Sequence, residues 1–284
     1  MTLHVPTNPI RVVTAASLFD GHDAAINIMR RILQAQGAEV IHLGHDRSVA
    51  EVARAAVQED VQAVAVSSYQ GGHVEYFTYL RGLLDEMGAG HVRIYGGGGG
   101  VIVPEEIALL AARGVTIFSP EDGQRLGLPG MINTIIRDCD ISLTDGRSPD
   151  PRRLATGDES TLAAAITALE AGVDGWDQKP ATRAPVLGIT GTGGSGKSSL
   201  TDELLRRFRL DYEDKLQIAV IAIDPTRRKG GGALLGDRIR MNSIGDNNFF
   251  RSMATRDSLR EVPARLPAVI DAARAAGNDL VIVE

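Results

Sequence analysis

The sequence predicts an α/β protein: an open, doubly wound parallel sheet in residues 1–138, a linker over 139–184, and a second α/β unit over 185–284. Three observations carry this reading. Short β-branched runs alternate with helix-period stretches through the first 120 residues. After residue 185 a strand-length apolar run leads into a glycine-rich turn and another helical stretch. The 32 glycines also cluster, at 96–100, 191–196 and 230–232, where a backbone without Cβ can approach a ligand closely.

Taken in order, residues 10–16, 38–43, 61–67, 91–95 and 115–118 read as strands, and 24–36, 49–58, 74–87 and 104–112 as the helices between and after them. Gly37 and Gly114 stop helices. Ligands of such sheets sit beyond the carboxyl ends of the strands, so the loops beginning at Ser17, Ser67 and Gly96 are the ones to watch. From 138 to 185 the pattern weakens, with a Pro-, Asp- and Gly-rich stretch at 145–157 and a short Ala-rich helix at 162–169. The second unit reads as a strand at 185–190, a helix from 197 to 208, a strand at 216–223, a helix at 262–276 and a strand at 279–283. A final central strand with no helix to cover it is expected in a piece of a longer polypeptide, or in one that a partner completes.

Composition excludes several classes. Lys plus Arg number 30 against 36 Asp plus Glu, a net charge of −6 with no basic run, so no nucleic-acid partner is expected. Aromatics at 4% are too few for a base-stacking platform. The longest apolar runs are strand length, far below the roughly 20 residues of a membrane helix, and residues 1–9 lack a secretory pattern. The single cysteine, Cys139, reads as a spare buried thiol and fits a reducing, cytoplasmic compartment.

The loop after the first strand reads Phe19-Asp20-Gly21-His22-Asp23. A lone loop histidine is usually solvated. A carboxylate two positions away can hold one ring nitrogen and present the other to a metal. Ser67 and Tyr69 follow the third strand, and Gly96 and Gly97 the fourth. Together these pieces resemble the cobalamin-binding signature D-x-H-x-x-G … S-x-L … G-G. The implied fold is flavodoxin-like (Rossmann-like). The resemblance implies that His22 is the lower axial ligand of cobalt, in place of the cofactor's benzimidazole, with Asp20 hydrogen-bonded to it and Gly21 in the same turn. Ser67 and Tyr69 would contact the buried nucleotide tail, and Gly96 and Gly97 would leave room for it. Ala25 stands where the pattern has Gly, and Tyr69 where it has Leu. His73 reads as a surface histidine, with corrin contact as the alternative. A receiver domain on the same sheet would carry an acidic pair after strand one and an Asp after strand three. Here Asp20 and Asp23 flank a histidine, and strand three ends in Ser67 and Ser68.

The second cluster, Gly191-Thr192-Gly193-Gly194-Ser195-Gly196-Lys197-Ser198, satisfies G-x-x-x-x-G-K-[ST] between a strand and a helix. In this P-loop arrangement Gly193, Gly194, Ser195, Gly196, Lys197, Ser198 and Ser199 would cradle phosphates, with Lys197 on the β and γ groups and Ser198 on Mg2+. Downstream, Asp224-Pro225-Thr226, Gly230-Gly231-Gly232 and Gly236-Asp237-Arg238-Ile239-Arg240-Met241 resemble the G-protein chaperones of acyl-CoA mutases. The resemblance implies GTP as nucleotide, Asp224, Asp237 and Glu284 around magnesium, Arg240 near the phosphates, and Lys197, Asp224 and Glu284 as the catalytic set. The family's switch glycine and N-K-x-D guanine motif would follow Glu284, so the P-loop NTPase domain is expected to be incomplete here and to bind nucleotide weakly alone.

The order of the two modules resembles the N-terminal portion of the fused isobutyryl-CoA mutases. That implies adenosylcobalamin, GTP and Mg2+ as cofactors and a homodimer. It also implies an acyl-CoA substrate bound by a barrel domain outside this chain, and a radical interconversion of isobutyryl-CoA and n-butyryl-CoA. GTP hydrolysis would gate cofactor loading, and the fragment alone would not turn over acyl-CoA. Two alternatives stay open: a non-catalytic carrier delivering cobalamin to a separate mutase, and a P-loop kinase or transporter ATPase beside a domain that binds something else.

Overall fold

The computed structural model describes residues 3–148, 150–173, 175, 176, 180, 183–226, 232–256 and 262–284, with Asp23 described by its backbone alone. The chain divides into two compact units. The first comprises Met1–Val57, Val61–Ser142 and Thr226–Leu234, and the second Gln58–Asp60, Leu143–Pro225 and Leu235–Glu284.

In the first unit, strands β1 (Arg11–Ser17), β2 (Glu39–Arg47), β3 (Ala63–Ser67), β4 (Arg93–Gly97) and β5 (Val115–Ile117) alternate with helices α1 (Asp23–Ala35), α2 (Val49–Gln58), α3 (His73–Glu86) and α4 (Pro104–Ala111). The sheet order is β5-β4-β3-β1-β2, with the later strand β8 (Ala233–Leu235) beside β2. Neighbours among β1–β5 run parallel. Connections leave β1 toward β2 on one side and β3 on the other, so the loops after β1 and β3 part at the switch point where such sheets bind ligands. Register pairs Ala16 with Ser67 and Ser67 with Gly97, which brings the three site loops to one edge. Val12, Val40, Ala63 and Ala65 pack against Ile132, Ile135 and Ile136 of α5 (Pro120–Cys139). This helix was not anticipated. Gly123, Gly127, Pro129 and Gly130 punctuate it, and it breaks at Gly127 (φ 64°), yet Ser119 caps its start by accepting from Asp122 N at 3.1 Å. Cys139 is buried, and burial first of all pushes its thiol up to about 12.

The second unit holds a four-stranded parallel sheet in the order β6-β10-β7-β9, with β6 (Val186–Gly188), β7 (Ile218–Asp224), β9 (Asn248–Ala254) and β10 (Leu280–Val283). Helix α8 (Lys197–Asp211) follows β6 and α9 (Leu266–Ala275) precedes β10, the latter starting four residues later than expected, with Pro267 in its first turn. Alternate residues of β7 serve two cores: Ala219 and Ile221 pack toward α9, while Ile218, Val220 and Ala222 pack toward Leu205 of α8.

The stretch 139–184, read as a linker, is corrected by this packing. It contains α6 (Pro151–Ala155) and α7 (Glu159–Glu170), and Leu162, Ile166 and Leu169 of α7 lie in one cluster with Phe249, Met253, Val269 and Ala273. The polar surface of the sequence here belongs to helix caps. Asp158 accepts from Thr161 N at 2.7 Å to start α7. Burial alone would raise the Asp158 carboxyl, but hydrogen bonds from Thr161, Arg153 and Ser160 outweigh it and hold it near about 2.

Among the described residues no helix is long and apolar enough to cross a membrane.

Candidate functional site

At the edge of the first sheet, the loop after β1 turns back on itself because Asp20 N donates to Ser17 O at 3.0 Å. The Asp20 side chain is fully buried and gathers three donors. His22 N and His22 Nδ1 each stand 2.9 Å from Asp20 Oδ1, and Tyr69 N donates to Asp20 Oδ2 at 2.6 Å. With Nδ1–H engaged by the carboxylate, the imidazole offers Nε2 as a lone-pair donor. The His22 side chain is 66% exposed against 0% for Asp20, so a fixed anchor carries an accessible ligand atom. The Tyr69 ring lies 5.6 Å from that of His22, tilted by 40°.

Sequence reading did not single out two residues that shape this loop. Phe19 takes φ 65° and Asp46 φ 57°, and Phe19 N donates to Asp46 Oδ1 at 2.7 Å. A bulky residue in the left-handed region is strained, and strain of this kind concentrates at functional loops.

Beneath the loops lies an apolar cavity of about 300 Å³, walled by Ala25, Met29, Tyr95, Phe118, Met131 and Ile135. Ser67 and Tyr69 line it too, and the Ser67 hydroxyl is buried without a hydrogen-bond partner. A cavity of this size with one orphaned hydroxyl suits an aromatic group bearing a nitrogen acceptor. The cobalamin expected from the sequence carries such a group in its nucleotide tail, so the residues fit it.

The glycines divide unexpectedly. Gly96 and Gly97 both line the cavity, but a Cβ at Gly96 would stand 2.5 Å from Phe77 Cζ and 2.6 Å from Ile117 Cδ1. The space at Gly96 is therefore taken by the protein's own core. A Cβ at Gly97 would meet Phe118 O at an ordinary 3.7 Å, whereas one at Gly98 would stand 1.9 Å from Ser68 O. Gly98, passed over within the cluster, is the residue whose lack of a side chain lets the loops after β3 and β4 touch. His73, read as a surface residue, is buried and holds Glu106 of α4 at 2.7 Å through Nε2.

In the second unit the glycine-rich turn places Gly194 (φ 78°) and Gly196 (φ 89°) in left-handed conformations, and Gly196 is the cap from which α8 springs. This geometry aims successive N–H groups of the turn and helix start outward, an anion cradle. Gly193, Gly194, Ser195, Gly196 and Ser199 are exposed, and Lys197 Nζ donates to Thr192 O at 3.3 Å. Ser198 is buried at the helix start; its hydroxyl donates to Glu284 Oε1 at 2.5 Å and lies 3.4 Å from Asp237 Oδ1. Glu284 Oε2 is buried without a hydrogen-bond partner. Asp224, at the end of β7, accepts from Gly236 N at 3.1 Å. Burial first, and then the Asp237 charge, holds its carboxyl well above the usual range.

Thus Ser198, Asp237 and Glu284 come together, with Asp224 crowding Asp237. Among the described residues no three acidic, imidazole or thiol groups close into a complete metal-binding set. Magnesium keeps several waters and takes one or two carboxylates beside a hydroxyl and phosphates, so this oxygen donor set fits it. Arg240 is 65% exposed and reaches Asp237 at 3.7 Å. Gly230 and Gly231 lie outside the described residues. Gly232 belongs to the first unit's packing, because a Cβ there would stand 2.1 Å from Gln34 O.

Comparison with known proteins adds the rest. Residues 10–123 match the B12 binding domain family, and residues 177–284 match the Methylmalonyl Co-A mutase-associated GTPase MeaB family. Over its whole length the chain is 65% identical to the fused isobutyryl-CoA mutase of Nocardia farcinica, of which it covers 27%. It is 62% identical over 98% of its length to that of Cupriavidus metallidurans, covering 26% of it, and 55% identical over 99% of its length to that of Geobacillus kaustophilus, covering 27%. The chain thus spans about a quarter of the length of the curated relatives it matches. The chain thus matches a B12 binding domain followed by a MeaB GTPase domain, and along its whole length it is similar to about a quarter of the fused isobutyryl-CoA mutase of Nocardia farcinica.

Proposed function

We propose that this chain is the cofactor-handling portion of an adenosylcobalamin-dependent mutase that interconverts isobutyryl-CoA and n-butyryl-CoA, with a GTP-hydrolysing module that gates cofactor loading. One observation supports this most. A buried carboxylate presents an exposed imidazole above an apolar cavity with an orphaned Ser67 hydroxyl. The same chain carries a complete nucleotide turn. When bound, the cobalamin supplies the radical chemistry of the rearrangement.

The chain's residues position and shield. His22 offers Nε2 toward cobalt, Asp20 fixes its tautomer, Ser67 offers its hydroxyl to the nucleotide tail, and the cavity wall excludes water. Gly21, Tyr69, Gly96 and Gly97 complete the cofactor loops. In the second unit Lys197 and the N–H groups of residues 193–199 hold the nucleotide phosphates, with Arg240 beside them. Ser198, Asp224, Asp237 and Glu284 would hold magnesium through their side-chain oxygens. Lys197, Asp224 and Glu284 would act in hydrolysis: Lys197 would hold the phosphates, and the two carboxylates would hold the ion, which would supply charge stabilisation. The acyl-CoA binds to a domain outside this chain, and the working protein is a cytoplasmic homodimer.

Titrating the intact protein with cobalamin while recording its absorption spectrum tests the reading. The wild type is expected to displace the cofactor's benzimidazole, and His22→Ala to lose more than about tenfold in affinity with nucleotide affinity unchanged. Equal affinity and identical spectra for the two would remove the axial assignment.

A further inference from the structure

Tyr69 touches both members of the pair that presents the imidazole. Its backbone N–H donates to Asp20 Oδ2 at 2.6 Å, a contact any residue at this position would keep. Its ring makes a second contact that depends on the side chain, 5.6 Å from the His22 ring at a 40° tilt. The loop after β4 also lies beside the ring, where a Cβ at Gly99 would stand 3.2 Å from Tyr69 Cε1. The missing Cβ at Gly99 leaves the Tyr69 ring its place against this loop.

This matters because the imidazole is held through Nδ1 alone. A single hydrogen bond from Nδ1 to Asp20 fixes a distance but leaves the ring able to turn about that bond. An aromatic face beside it restricts the turning, and such ring pairs have preferred geometries. Leu, the residue of the S-x-L pattern, has no flat face to offer.

We propose that the Tyr69 ring is a positioning residue. It fixes the plane of the His22 imidazole and so favours the protein's nitrogen over the cofactor's own benzimidazole beneath cobalt. The inference rests on the axial role proposed for His22 above.

The test labels the histidines of the intact protein with nitrogen-15, loads it with unlabelled cob(II)alamin, and records the electron paramagnetic resonance spectrum. A histidine nitrogen then splits the cobalt lines into doublets, and a benzimidazole nitrogen splits them into triplets. The wild type is expected to show doublets. Tyr69→Leu is expected to lower the doublet-to-triplet ratio about three- to tenfold, the range of an aromatic pair contact. Tyr69→Phe keeps the ring and is expected to keep the wild-type ratio. Doublets undiminished in Tyr69→Leu, or a loss in Tyr69→Phe as large as in Tyr69→Leu, would overturn the proposal and leave the axial role of His22 standing. Triplets in the wild type would remove that role and the proposal with it.

Discussion

The two sites are built on opposite plans. In the first unit the groups hold one another: one buried carboxylate takes three hydrogen bonds from two loops, a ring packs on the imidazole, and an apolar wall closes below. In the second unit the turn is held by its own backbone, its glycines face solvent, and burial, then the neighbouring Asp237 charge, raises the proton affinity of Asp224. The contrast follows from what each plan can bind. A largely apolar group can be received by a cavity whose walls already satisfy themselves. A polyphosphate and its cation need open donors and like charges, an arrangement favourable only with counter-charges among them.

The largest expected effect tests how tightly the first plan is locked. Gly98→Ala would drive a Cβ to 1.9 Å from the Ser68 carbonyl oxygen, while Gly97→Ala meets only an ordinary 3.7 Å contact. In denaturant unfolding, Gly98→Ala should cost about 3 kcal/mol and Gly97→Ala less than about 0.5 kcal/mol. Equal losses would mean that the loops after β3 and β4 are not interlocked.

Next in size is a change confined to the second plan. Lys197→Ala removes a charged donor that reaches the Thr192 carbonyl at 3.3 Å. Fluorescent-nucleotide titration of the intact protein should show about a thirtyfold loss, near 2 kcal/mol, with folding stability and cobalamin affinity intact. A fall in cobalamin affinity as well would show that the two sites are not independent.

The smallest effect concerns the scaffold under the second site. Asp158→Ala removes the cap of α7 and should lower stability by about 1 kcal/mol at neutral pH. Because the folded carboxyl is held near about 2, below the 3.8 of a free one, its contribution is complete above about pH 4 and is lost as pH falls through 2. The wild type and variant should therefore converge in urea melts across that window. A gap that stays constant to pH 2 would assign the effect to lost packing.

Much of this is legible in the sequence. The strands of the first unit and the nucleotide turn announce themselves, because apolar periodicity and a glycine-Lys-Ser turn are local features. What stayed hidden depends on partners far away in sequence. Strand β9 escaped because Asn248, Arg251 and Ser252 break its apolar run; Arg251 is nonetheless fully buried, paired at 2.8 Å with Glu170 of α7. His73 looked like a surface residue because its partner, Glu106, lies 33 positions away. The glycine cluster at 96–100 pointed to the right loop without revealing that Gly98 is the tight contact, since that depends on the Ser68 carbonyl of another strand's loop.

The unit boundaries carry a last consequence, for synthesis. The first unit counts residues Thr226–Leu234 among its own, and Ala233 N donates to Ala38 O at 3.2 Å beside β2. A ribosome therefore completes 235 of the 284 residues before the first sheet has its edge strand. Translation pauses upstream of residue 226 would leave the β2 edge bare, and an expression boundary placed at 142 would produce a first unit that lacks a strand.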